Sequence, residues 1–202
     1  MKTIAFATIA TVAVIGCATF ANAPSEEETL GVIKSGFRDR GIAKVERLNQ
    51  SELQKICSRT NNNPPADVRA RLEKTALASV KYPTDGVWLG DFKSGEKIAQ
   101  TGVGLQWTDR ADSVNGGNCY ACHELSRAEI SFGNIGPSLY NYGKLRGKDE
   151  KTLRYTWAKI WNTHSFNACS SMPRFGDAGI LTEAQIKDVM ALLLDPASPV
   201  NR

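Results

Sequence analysis

Gly116-Gly117-Asn118-Cys119-Tyr120-Ala121-Cys122-His123 is the stretch on which the fold turns. Its centre, C-x-x-C-H, is the pattern of covalent haem attachment. Residues three apart on the first turns of a helix lie on one face. The thiols of Cys119 and Cys122 can there meet the two vinyl groups of one haem edge and form thioethers. His123 follows at once and can turn its imidazole beneath the iron as an axial ligand. A change of one residue in this spacing would misplace the imidazole against the tethered ring. The helix carrying the motif is predicted to start near Asn118.

A bare C-x-x-C also serves thiol–disulfide exchange or supplies half of a zinc site. The sequence contains five Cys. Cys57, Cys119, Cys122 and Cys169 all follow the leader described next, so a four-thiolate zinc site is countable. Two arguments weigh against these readings. The redox motif belongs in a βαβ setting, which this sequence lacks, and structural zinc thiolates suit an oxidising compartment poorly. A His directly after the second Cys favours one covalently bound haem c.

The N-terminus reads as an export signal. Lys2 supplies a positive start, Ile4 to Ile15 an apolar run, and Ala21-Asn22-Ala23 an A-x-A cleavage site. Residues 1–23 are therefore predicted to be a signal peptide cleaved after Ala23, leaving a periplasmic chain. Val14-Ile15-Gly16-Cys17 offers an alternative, a lipoprotein site with an acylated Cys17, although it lacks the usual Leu three residues before the Cys. The apolar run is short for a bilayer span of about 20 residues, and no later segment has the length to cross a membrane. The whole chain carries a net charge of +4. Without the leader's single Lys, 24 basic residues face 21 acidic ones, a net of +3. That balance argues against nucleic acid and suits docking to an acidic protein.

Outward from the motif, residues 24–90 read as a helical N-terminal extension and residues 91–202 as the haem domain. Ser25-Glu26-Glu27-Glu28 is an exposed acidic opening. Ser51 is placed to cap a short helix, and Asn61-Asn62-Asn63-Pro64-Pro65 to break it. Val68, Leu72, Ala76 and Val80 then recur every four residues over a helix of roughly 66–80. A helix over about 93–101 turns Ile98 and Ala99 inward. Residues 133–147, rich in Gly, Pro and Asn, are predicted to be loop. Leu153, Trp157, Ile160 and Trp161 share a face of a helix over 151–161. Thr182-x-x-Gln185 has the spacing of a capping box and opens a last helix with Ile186, Val189, Met190 and Leu193 inside, stopped by Pro196 and Pro199. No run alternates with a period of two, so the prediction is all-α. Trp88, Trp107, Trp157 and Trp161 cannot be sorted between core and contact surface.

The second axial ligand must lie elsewhere. Met190 belongs to the stripe of the last helix and reads as core. Met172 stands in Cys169-Ser170-Ser171-Met172-Pro173-Arg174-Phe175-Gly176, a loop between two helices. A thioether there can reach the iron from the side opposite His123, and His/Met ligation raises the potential. Otherwise Met172 is a packed loop residue. His164, the other His, competes as a ligand and reads instead as an exposed His near a helix end. Cys57 and Cys169 are spare thiols, which in an exported protein suggest a disulfide from the extension to the loop of Met172. Unpaired, Cys169 would be a reactive or intermolecular thiol.

The haem domain resembles the class I c-type cytochromes. In that group a Pro carbonyl in a G-P-x-L loop accepts the N–H of the iron-bound His and fixes its ring; here this implies Pro137, in Gly136-Pro137-Ser138-Leu139, acting on His123. Without that role the stretch is a tight turn. Four further features in combination are similar to the SoxX family, the smaller cytochrome subunit of the bacterial SoxAX complex. They are Gly116 to His123, Asn134 to Leu139, Cys169 to Gly176, and Leu181-Thr182-Glu183-Ala184-Gln185-Ile186 with Leu192-Leu193-Leu194-Asp195-Pro196. The resemblance covers roughly residues 90–200.

It implies a heterodimer with a SoxA-like cytochrome, whose modified haem carries out the L-cysteine S-thiosulfotransferase reaction, the oxidative joining of thiosulfate to a cysteine of the carrier SoxYZ. This chain would take the released electrons and pass them to an acceptor cytochrome c, without binding substrate or catalysing alone. A free periplasmic electron shuttle is the alternative. A haem enzyme or gas sensor with an open iron position requires that Met172 is not a ligand.

Overall fold

The computed structural model describes residues 24–202. The expectations about Lys2, Cys17, Ala23 and the leader lie outside the described residues. Contacts divide the chain into two units, one ending at Phe37 and one running from Arg38 to Arg202. The stretch 24–90 thus falls partly in each.

The described part of the first unit is one helix, α1 (Glu26–Gly36). The acidic opening is its start. The Ser25 hydroxyl accepts the Glu28 amide at 3.2 Å and the Glu28 carboxylate accepts the Ser25 amide at 2.7 Å, a reciprocal capping box. None of its residues is buried.

The second unit holds α2 (Glu52–Arg59), α3 (Ala66–Ala78), α4 (Phe92–Gln100), α5 (Tyr142–Arg146), α6 (Glu150–Trp161) and α7 (Glu183–Leu194). Its only ladder-like pairing among the described residues is an isolated bridge between Arg40 and Ala43, so the architecture is all-helical. Ser51 caps α2 with Gln54 closing the box. Asn61 and Asn62, both left-handed, turn the chain out of that helix. Thr182 and Gln185 open α7 in the same reciprocal way.

The core forms where α4 crosses α7. Gly95 makes the crossing close: a Cβ there would stand 2.2 Å from the Asp188 carbonyl oxygen and 3.0 Å from Leu192 Cβ. The chain just before α4 is tied to the same place, by Gly90 N–H to the Lys187 carbonyl and Asp91 N–H to the Asp188 carboxylate, each at 2.8 Å. Ile98 and Ala99 of α4, Trp157 and Ile160 of α6, and Ile186 and Val189 to Leu194 of α7 supply the buried side chains. From Val189 to Leu194 every residue of α7 is buried, which makes it a central helix rather than a surface one.

Residues 80–90 lie across α6. Trp157, fully buried, donates its Nε1–H to the Lys81 carbonyl at 2.8 Å. Its ring meets Trp88 edge-on at 5.9 Å and stacks with Trp161 at 6.0 Å. Trp107 is half exposed and carries the Arg40 guanidinium 3.8 Å above its ring. The four Trp are thus sorted by position.

The stretch 133–147, expected to be loop, contains α5. Its N-terminus has no side-chain cap of its own. Asn201, 58 residues away, supplies one: its Oδ1 accepts the Gly143 amide at 2.9 Å and the Lys144 amide at 3.3 Å. A cap that arrives from the far end of the chain leaves no local signal.

Candidate functional site

The attachment turn hangs from the end of α4. Gly116, Gly117 and Asn118 donate their amides to the carbonyls of Val103, Ile98 and Thr101 at 2.8–2.9 Å. Asn118 is left-handed and starts a single 3-10 turn, Cys119–Ala121. The expected longer helix is absent. The Tyr120, Cys122 and Glu124 carbonyls that would continue it accept instead from Gly133, Gly136 and Leu139 at 2.7–2.8 Å. The one turn is enough to set His123 N–H on the Cys119 carbonyl at 2.9 Å, so the two thiols and the imidazole emerge within one turn of each other.

His123 is held on two sides. Its Nδ1 lies 2.7 Å from the Pro137 carbonyl oxygen. A carbonyl can only accept, so Nδ1 is the donor, and Nε2 is the ring nitrogen left to face a metal. The ring lies so close to Gly136 that a Cβ there would be 2.1 Å from Cε1.

Cys119 and Cys122 are unpaired and half-buried. Desolvation of its sulfur pushes the Cys119 thiol up to about 12. Tyr120, between them, is buried and donates its hydroxyl to Glu96 Oε1 at 3.0 Å. Burial raises Glu96 above the ordinary carboxylate range, with a further push from the Glu129 charge. Its Oε2 is buried without a hydrogen-bond partner among the described residues. A hollow of about 410 Å³ adjoins the turn at Asn118, Tyr120 and Ala121, with Gln100, Glu129 and Phe132 also in its wall.

Met172 is half-buried against the core in the loop after α6. It lines a cavity of about 430 Å³ together with Leu53 and Cys57 of α2, and with His164, Cys169 and Ile180. Cys119, Cys122 and His123 are not in that wall. The Met172 loop is joined to α2 by a disulfide between Cys57 and Cys169. Beyond Met172 it is pinned to the end of α6, Phe175 N–H to the Ile160 carbonyl at 3.2 Å and Gly176 N–H to the Trp161 carbonyl at 3.1 Å.

His164, expected to be exposed, is 9% exposed in the 3-10 turn Thr163–Ser165. Its Nε2 reaches the Ser170 carbonyl at 3.3 Å and therefore carries the proton. Burial lowers its proton affinity, which keeps the ring neutral. Met190 is wholly buried in α7.

These donors fit a covalently attached haem. Two free thiols and an oriented imidazole share one turn; separately, on α6, the Trp161 Nε1–H is buried with no partner among the described residues. Cys119 and Cys122 would carry the thioethers and His123 would ligate the iron. Sequence reasoning missed Trp161 as an unsatisfied donor and Ser170 as a partner of the Met172 loop. For Ser170 the available signal was its place between Cys169 and Met172; for Trp161 there was none.

Two comparisons bear on this geometry. A family model described as cytochrome c matches residues 92–195. A protein of Aquifex aeolicus (strain VF5) named an uncharacterized lipoprotein is 35% identical over 207 residues, 98% of either chain. Among the described residues no helix is long and apolar enough to cross a membrane. The attachment turn, the fixed imidazole and the matched span agree: the chain belongs to the cytochrome c family, whose members bind haem c.

Proposed function

We propose that this chain is the electron-carrying cytochrome subunit of a SoxAX-type complex, with one haem c held by Cys119 and Cys122 and ligated by His123 and Met172. The observation that carries the electron-transfer part is the Nδ1–Pro137 bond at 2.7 Å. It gives His123 a fixed tautomer and orientation, as a ligand that must not rearrange between oxidation states requires. When bound, the haem supplies a one-electron iron couple. Met172 would supply the iron's other protein ligand and leave no place for substrate, which assigns the sulfur chemistry to a SoxA-like partner that loads thiosulfate onto SoxYZ. An acceptor cytochrome c takes the electron onward.

The mature protein is exported to the periplasm. The relative's printed name supports lipid attachment at Cys17, over cleavage after Ala23, as the way its N-terminus is made. Intact mass of the protein from its native membrane and soluble fractions distinguishes the two.

Met172→Ala tests the ligand set: the red-region band of ferric thioether ligation disappears and the potential falls. An unchanged spectrum removes Met172 from the iron. Affinity purification from native cells tests the role. A SoxA-like cytochrome copurifying in equal amount supports the subunit reading, and a lone monomer favours a free shuttle.

A further inference from the structure

We infer that the Cys57–Cys169 disulfide and Ser170 are positioning elements for Met172, together setting how firmly its thioether is presented. The inference rests on the reading of Met172 as second axial ligand and adds what holds it there. Three consecutive residues of this loop are each tied to something outside it. Ala168 N–H donates to Glu73 Oε1 of α3 at 3.3 Å. Cys169 is bonded to Cys57, itself 7% exposed on α2. The Ser170 carbonyl accepts from His164 Nε2 at 3.3 Å, and its hydroxyl meets Thr163 Oγ1 at 3.1 Å. That same hydroxyl accepts the Met172 amide at 3.2 Å. Thr163 is fully buried, so the hydroxyl is referred to the buried 3-10 turn that follows α6. Pro173 then limits the backbone on the other side of Met172.

The physical reason for such anchoring lies in the ligand. A Met side chain has three rotatable bonds and a soft, neutral donor atom. Its hold on an iron against small competing ligands depends on the effective concentration that its tether provides. A loop pinned at residues 168, 169 and 170 presents the thioether from a narrow range of positions, and a loop freed at 169 or 170 spreads it over many. A disulfide with a purely global role would change unfolding but not ligand competition in the native state, and this separates the two roles.

The test uses the ferric holoprotein and imidazole as competitor, with loss of the red-region thioether band as readout. Four samples are compared: the parent, Met172→Ala, Ser170→Ala, and parent protein whose disulfide has been opened in the folded state. Opening uses a trialkylphosphine: the phosphine gives up two electrons and becomes the phosphine oxide, water supplies its oxygen and the two protons, and two thiols result. Alkylation then keeps them apart, ferricyanide reoxidises the iron, and no refolding is needed. Parent protein alkylated without phosphine is the control.

We expect the imidazole concentration for half-loss of the band to fall tenfold or more in the opened protein and in Ser170→Ala, with helicity and haem content retained. A fall of less than threefold in either sample overturns the positioning role of that element, while Met172 stays as ligand. A parent without the band, or a Met172→Ala protein that keeps it, overturns the ligand reading and the positioning inference with it.

Discussion

Replacing Cys57 and Cys169 together by Ala removes a cross-link between residues 112 apart in sequence. The cross-link acts chiefly on the unfolded chain, which it denies the conformations of an open loop. For a loop of this length the chain-entropy relation amounts to about 4.8 kcal/mol at 25 °C. The compact unit from Arg38 to Arg202 has 165 residues. At about 2.1 cal/mol/K per residue, its unfolding entropy near the midpoint is about 350 cal/mol/K. The ratio is a fall in Tm of about 14 °C. A haem attached at Cys119 and Cys122 would lie inside the loop in both proteins and cancel. Thermal unfolding followed by far-ultraviolet circular dichroism, on holoproteins matched for pH, heating rate and haem content, measures it. A fall of less than about 4 °C would mean that the unfolded chain gains little freedom when the bridge is lost, and would refute the loop-entropy argument.

Gly136→Ala should tilt the His123 ring away from Pro137, because the new Cβ would sit 2.1 Å from Cε1. The cost is about 1–3 kcal/mol, seen as lower haem loading or a partly high-spin absorption spectrum; an unaltered spectrum and Tm count against the close packing. Gly95→Ala forces α4 off α7, since its Cβ would meet the main-chain oxygen of Asp188 at 2.2 Å. A similar cost of about 1–3 kcal/mol is expected, and an unchanged melting curve would exclude so close a crossing. Glu96→Gln bears on pH. Burial raises the Glu96 pKa in the folded chain, so the folded state binds the proton more tightly than the unfolded one. Its contribution is fully present below the unfolded value and is lost as pH rises through the folded value. The variant should therefore gain stability relative to the parent at neutral pH, with the difference shrinking toward acid. A constant difference across that range means that Glu96 titrates normally.

Much of the chemistry is local and legible in the sequence. C-x-x-C-H needs only one turn of chain to bring two thiols and an imidazole together. Ser51 with Gln54 and Thr182 with Gln185 cap helices whose starts the sequence announces three residues apart. What escaped was nonlocal. Three carbonyls of the attachment turn are taken by amides of residues 133–139, which ends the expected helix after one turn. His164 reads as a surface His by its place after α6, yet the Met172 loop folds back over it and buries it.

Spacing within a few residues was enough to read the all-helical class, the C-x-x-C-H turn and the order of the motifs around it. Where α5 forms, how closely α4 approaches α7, and what holds the loop of Met172 are set by long-range contacts. Each of these depends on groups brought together from distant positions: Asn201 on α5, Asp188 on Gly95, Cys57 and Thr163 on residues 169 and 170. A hydrogen-bond cap, a backbone close approach and a cross-link are all short-range in space, and nothing in local periodicity records which distant residue will arrive to make them.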